Sequence, residues 1–354
     1  MTSSTPEPGS RTRSVALGVV VFAATLILLF GALNLVRRSQ AGGAVESSSA
    51  AAQRSASNPP PATSTAAANA TPSGSGSPPA SGSPSASPAA DAVLVGAGDI
   101  ATCGSDNDSA TATLVEGIDG AVFTAGDNAY ENGSASDFRD CYDPTWGRFK
   151  DRTRPAPGNH DWGTRDLAGY LGYFGDAAAP HGTSWYSYDL GAWHIVVLDS
   201  DCGNVDGCGA DSAEGRWLTA DLAASSARCT LAIWHHPRFS SGFHGNDGSV
   251  EPFWKALYDA GADLIINGHD HDYERFAPQD PDGHEDRARG IREFVVGTGG
   301  AEMRDFGTIR ANSELRATGT FGVIELDLHP TSYDWQFHPT AGGFTDSGTA
   351  APCH

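Results

Sequence analysis

Residues 262–275 read ADLIINGHDHDYER. Ala262–Asn267 is an apolar run that reads as a buried strand, and it stops at Gly268. Past it, His269 and His271 sit one residue apart, with Asp270 between them and Asp272 after. In extended backbone, side chains alternate with period two, so both imidazoles share one face. Two imidazoles on one face at a strand end can chelate a cation. The bland alternative is a pair of solvated loop histidines.

Working outward, the same arrangement recurs. Ala92–Ala97 stops at Gly98-Asp99, and Ala121–Ala125 stops at Gly126-Asp127-Asn128-Ala129-Tyr130. Ser109–Ile118 between them has helical spacing, giving strand, helix, strand. Thr230–Trp234 ends at His235-His236-Pro237, and Pro157-Gly158 turns the chain into Asn159-His160-Asp161. Ser184–Asp199 reads as two strands joined through Leu190-Gly191. Glu214–Ala224 reads as a helix with Trp217, Leu218 and Leu222 on one face; Val250–Ala260 is a second. Phe294–Gly297 and Gly322–Leu328 supply later strands. Taken singly, Asp99 and Asp127 read as caps or turn formers, and a buried histidine as a satisfied core residue. Together, five segments place metal-capable side chains just past apolar strands, the edge on which α/β folds build their sites. Oxygen and nitrogen donors without thiolate suit Fe, Mn or Zn, not a Cys₄ zinc.

The rest of the chain sets the context. Ser14–Val36 holds no charge over 23 residues, long enough as a helix to cross the ~30 Å core of a bilayer. Arg11 and Arg13 before it and Arg37 and Arg38 after it nearly balance the positive-inside rule. Arg37-Arg38 replaces the small-residue site of a cleaved signal, so an uncleaved anchor is expected, with residues 1–13 inside the cell. Residues 37–90, rich in Ser, Ala, Pro and Gly, read as a disordered tether. Residues 91–354 form one large domain that carries all six cysteines, Cys103, Cys141, Cys202, Cys208, Cys229 and Cys353. An even count suits up to three disulfides in an oxidising compartment. Cys202 and Cys208 are close enough to close a small loop, and the other pairings stay open. Five of 22 basic and two of 43 acidic residues precede Asp91, which leaves 17 against 41 and a formal charge of −24 on the domain. A field of that sign excludes nucleic acid and anionic lipid as partners of the domain. The expected location is the cell membrane, single-pass, with the domain outside the cytoplasm, or secretion if the segment is cleaved.

The series GDI, GDNAY, GNHD, WHHP and GHDH resembles the calcineurin-like metallophosphoesterases, and within them the purple acid phosphatase branch. Tyr130, three residues after Asp127, carries that distinction; the protein serine/threonine phosphatases instead have a histidine where this chain has Ala101. The resemblance covers residues 91–354 and implies an α/β (α+β) sandwich of two packed mixed sheets flanked by helices, in four layers. It implies a first metal held by Asp99, Asp127, Tyr130 and His271, and a second held by Asp127, Asn159, His235 and His269. The pair would be Fe(III) with Fe, Zn or Mn as the divalent partner. His160 and His244 would face the substrate, with Asp161 orienting His160. The implied reaction is hydrolysis of small phosphate monoesters by a hydroxide held on the metals. Alternatives are a phosphodiesterase on the same site and a non-catalytic surface-binding protein on a phosphatase scaffold; the oligomeric state stays open.

Overall fold

The computed structural model describes residues 90–354. The anchor expected at 14–36 and the tether expected up to residue 90 lie outside the described residues, Ala90 excepted. Among the described residues, no helix is long and apolar enough to cross a membrane.

The strands are β1 (Ala92–Ala97), β2 (Ala121–Ala125), β3 (Thr153–Ala156), β4 (Tyr186–Leu190) and β5 (Trp193–Val197), then β6 (Cys229–Ile233), β7 (Leu264–Asn267) and β8 (Tyr273–Phe276). They continue as β9 (Arg292–Val296), β10 (Ser313–Ala317), β11 (Gly322–His329), β12 (Ser332–Pro339) and β13 (Ser347–Pro352). One sheet runs β13-β12-β11-β1-β2-β3 and the other β10-β8-β9-β7-β6-β5-β4. In the first, β1, β2 and β3 are parallel and the rest antiparallel. In the second, β5, β6, β7 and β9 are parallel, β4 and β8 run the other way, and β10, antiparallel to β8, closes the edge. Both sheets are mixed, as expected.

The unbroken apolar runs follow from burial on both faces. Ile195, Val197, Leu231, Ile233, Leu264, Ile266, Phe294 and Val296 share one core with Leu94, Ile324 and Leu326 of the first sheet. Their strand neighbours Val196, Ala232, Ile265 and Val295 pack instead with Leu218, Phe253, Trp254 and Leu257. Those four sit on the helices α3 and α4; in chain order the α-helices longer than one turn are α1 (Asn107–Glu116), α2 (Ala168–Phe174), α3 (Ala213–Ala224) and α4 (Glu251–Ala260). Each fully buried aliphatic or aromatic side chain contributes roughly 1.5–3 kcal/mol. Helix α3 starts where Ser212 Oγ accepts the Gly215 N–H at 3.0 Å. Helix α4 ends at Gly261, whose φ of 78° is the left-handed stop. Helix α1 lies against β11 of the first sheet.

All six cysteines pair: Cys202 with Cys208 as the spacing suggested, Cys103 with Cys141, and Cys229 with Cys353. At the carboxyl ends of the parallel strands the two sheets are stitched together. The Gly98 N–H donates to Val296 O at 2.9 Å, and Gly299 N–H to Gly98 O at 2.9 Å.

Candidate metal centre

Each side chain singled out at a strand end meets the others at this stitched edge. Asp99, Asp127 and His269 have φ of 59°, 49° and 71°, so the chain reverses as soon as it leaves β1, β2 and β7. Two glycines permit the approach. A Cβ on Gly268 would lie 2.5 Å from Asp99 Oδ2, and one on Gly126 would lie 2.4 Å from His235 Nδ1. Nothing larger than hydrogen fits at either position.

The hydroxyl of Tyr130 donates to Asp99 Oδ1 at 2.9 Å and is 3.1 Å from Asp127 Oδ2 and 3.2 Å from His271 Nε2. On the far side of Asp127 Oδ2, His235 Nε2 stands at 3.3 Å. That nitrogen is also 3.1 Å from Asn159 Oδ1 and 3.2 Å from His269 Nδ1. The outer oxygens of both carboxylates are pinned by backbone: Asp99 Oδ2 accepts His269 N–H and Asp127 Oδ1 accepts His160 N–H, each at 2.8 Å. His235 Nδ1–H donates to Ala125 O at 2.9 Å and His271 Nδ1–H to Glu302 O at 2.5 Å. Both rings therefore turn Nε2 inward. The seven residues form two donor sets that share Asp127 Oδ2: Asp99, Tyr130 and His271 on one side, Asn159, His235 and His269 on the other.

The electrostatics match cation sites. Burial would raise the Asp127 carboxyl, yet His235 and then His160 outweigh it and hold it below the usual range. Burial would lower His235, but Asp127 lifts it to about 10. His269 is driven far down by burial and by the neighbouring His235, His236 and His244. The Tyr130 phenol is pushed well up by burial and by Asp127 and Asp99. Asp127 and His269 are thus free of protons, and the protons held on His235 and Tyr130 occupy places that a metal ion takes when it binds. The set around Tyr130, two carboxylates and a phenol with one imidazole, suits a hard trivalent ion; the amide and two imidazoles suit a divalent one.

His160 and His244 also arrive. The His160 ring packs on Tyr130 at 4.4 Å, with Nε2 3.9 Å from Asp127 Oδ2 and Nδ1 2.6 Å from Glu131 O. The His244 ring stacks on His269 at 4.2 Å, and Asp270 Oδ1 accepts its backbone N–H and its Nδ1–H. Asp161 corrects the expectation that it orients His160. Its carboxylate is fully buried and accepts from Asn128 N, Asn128 Nδ2 and Gly158 N, so it braces the loops after β2 and β3. Asp270 and Asp272 are also buried, and the Asp272 carboxyl oxygens have no hydrogen-bond partner among the described residues.

Four contributors were given no site role from the sequence. His236 holds Ser200 Oγ at 2.9 Å and packs on His269 at 4.4 Å; its place in the tandem pair was the available signal. Arg304 reaches His244 Nε2 at 2.8 Å; a lone cation past the end of β9 was the sole hint. The Glu131 and Glu302 carbonyls carry no side-chain signature at all.

Comparison with known proteins gives the same direction. The family model for calcineurin-like phosphoesterases matches residues 86–273. The chain is similar to purple acid phosphatase 15 of Arabidopsis thaliana, 27% identical over 199 residues that cover 46% of this chain and 37% of that protein. It is similar to acid phosphatase A of Cryphonectria parasitica, 26% identical over 205 residues, covering 50% of this chain and 41% of the relative. The chain thus spans well under half the length of these curated relatives. Among solved structures, a purple acid phosphatase from yellow lupin (Lupinus luteus) seeds shares the fold with a TM-score of 0.57 at 20% identity, covering 73% of this chain and 53% of that one.

Proposed function

The chain belongs to the calcineurin-like phosphoesterase family, and on that premise we propose that it hydrolyses small phosphate monoesters in the manner of purple acid phosphatases. One observation carries the reading: Asp127 Oδ2 lies 3.1 Å from the Tyr130 hydroxyl and 3.3 Å from His235 Nε2, a single oxygen shared by two donor sets. Asp99, Asp127, Tyr130 and His271 would hold Fe(III). Asp127, Asn159, His235 and His269 would hold Fe, Zn or Mn. Bound there, such a pair supplies Lewis acidity at the phosphoryl group and acidifies a water.

The protein's own groups do the positioning. The carbonyls of Ala125 and Glu302 fix the tautomers of His235 and His271. His160 turns Nε2 toward Asp127, which supports a role in taking a phosphoryl oxygen. His244, held by Asp270 and by Arg304, would face the departing oxygen, and His160, or His244 once Arg304 leaves its Nε2, would give that oxygen a proton. Residues 14–36 serve as a membrane anchor in this reading, with the domain outside the cytoplasm; the three disulfides support an oxidising compartment. The test compares nitrophenyl phosphate with bis(nitrophenyl) phosphate on the metal-loaded protein. Faster turnover of the monoester is expected. Faster turnover of the diester sinks the monoester assignment, and two bound metals with no turnover of either sink the enzyme reading.

A further inference from the structure

Among the described residues, two large apolar side chains stand exposed, Phe243 at 68% and Ile309 at 48%. Phe243 lies on a loop beside the centre. The Phe243 ring is 5.2 Å from the His244 ring, which stacks on His269. Arg304 comes from the loop after β9, its N–H bonded to His271 O at 3.1 Å. Its guanidinium lies 5.4 Å over the Phe243 ring and 2.8 Å from His244 Nε2. Among the described residues it pairs with no carboxylate, in a domain whose formal charge is −24. The neighbouring Arg310 is committed to the loop itself, donating through Nε to Ser240 O at 3.0 Å and through its N–H to Ser241 Oγ at 2.9 Å. An exposed aromatic ring and a guanidinium with no carboxylate partner thus stand together next to His244. A ring stacked on Phe243 covers apolar surface that water otherwise wets, and an acceptor on that ring meets the guanidinium fork.

Resting on the phosphomonoester reading, we propose that Phe243 and Arg304 form a leaving-group subsite for esters whose leaving group is a planar ring bearing an anionic or hydrogen-bond-accepting substituent. Phe243 takes the ring and Arg304 takes the substituent.

The test measures kcat/KM on the full-length protein for phenyl phosphate, 4-carboxyphenyl phosphate and glycerol 2-phosphate. In Phe243→Ala the phenyl-over-glycerol ratio falls about 5- to 10-fold, the size of one aromatic stacking contact. In Arg304→Ala the carboxyphenyl-over-phenyl ratio falls about 10-fold, the loss of one charge-assisted pair. Ratios within about twofold of the unsubstituted protein in both variants overturn the subsite. A second readout needs no turnover: calorimetric binding of phenylphosphonate and methylphosphonate. Phenylphosphonate binds more tightly, and Phe243→Ala removes the difference. Equal affinity in the unsubstituted protein also overturns the proposal. Failure of every ester to turn over, with the phosphonate preference intact, sinks the catalytic reading and leaves the subsite standing.

Discussion

Replacing Asp161 with alanine separates two roles that a His-Asp pair invites. If Asp161 braces the loops, truncation strands three buried donors, Asn128 N, Asn128 Nδ2 and Gly158 N, now at 3.2, 2.9 and 2.9 Å from its carboxylate. Each buried donor left without an acceptor costs about 1–3 kcal/mol. Some of that is recovered if water enters the space, so a total of about 4 kcal/mol is expected. For a domain of this size that lowers Tm by roughly 10 °C. Asn128 follows Asp127 and Gly158 precedes Asn159, so metal affinity falls with stability. Asp161→Asn keeps one acceptor and lands between. The assay is thermal unfolding in chelator, with metal titration and kcat on the same preparations. An unchanged Tm and unchanged metal affinity alongside a lower kcat would refute the bracing role and restore Asp161 as the partner of His160.

Further outcomes follow from other contacts. Tyr130→Phe removes the phenol that touches Asp99, Asp127 and His271; the iron-loaded variant loses its visible charge-transfer band, and an unaltered spectrum rejects Tyr130 as an iron ligand. The Cys229–Cys353 bridge closes a separation of 124 residues, so the double serine variant loses about 5 kcal/mol on the chain-entropy account; a Tm shift below about 2 °C contradicts it. Asp199, raised from 3.8 to about 6 by burial, binds its proton more tightly folded than unfolded. Its contribution, up to about 3 kcal/mol, is complete below its unfolded value and is lost as pH rises through about 6. Denaturant midpoints from pH 4 to 7 fall in the unsubstituted protein relative to Asp199→Asn; parallel curves dismiss the effect.

The central strands and their terminal ligands were legible because burial on both faces leaves plain apolar runs and because each ligand follows its strand directly. β1 and β2 have the bounds the sequence suggests. β3 escaped notice: Thr153-Arg154-Pro155-Ala156 has no apolar run, and its proline is tolerated because the strand is a sheet edge. β10 and β13, equally polar, are edges too. The direction of the Asp161 side chain depends on the turn that carries it, which spacing does not encode. Arg304 and His244 meet across 60 residues of sequence through the packing of two loops, and no local pattern announces such a contact.

Metal content by mass spectrometry, on the unsubstituted protein and Asp127→Ala side by side, tests the shared oxygen most directly. Two equivalents of metal in the first and loss of both in the second are predicted. Retention of two equivalents without Asp127, or one equivalent or fewer with it, would contradict a carboxylate common to two sites.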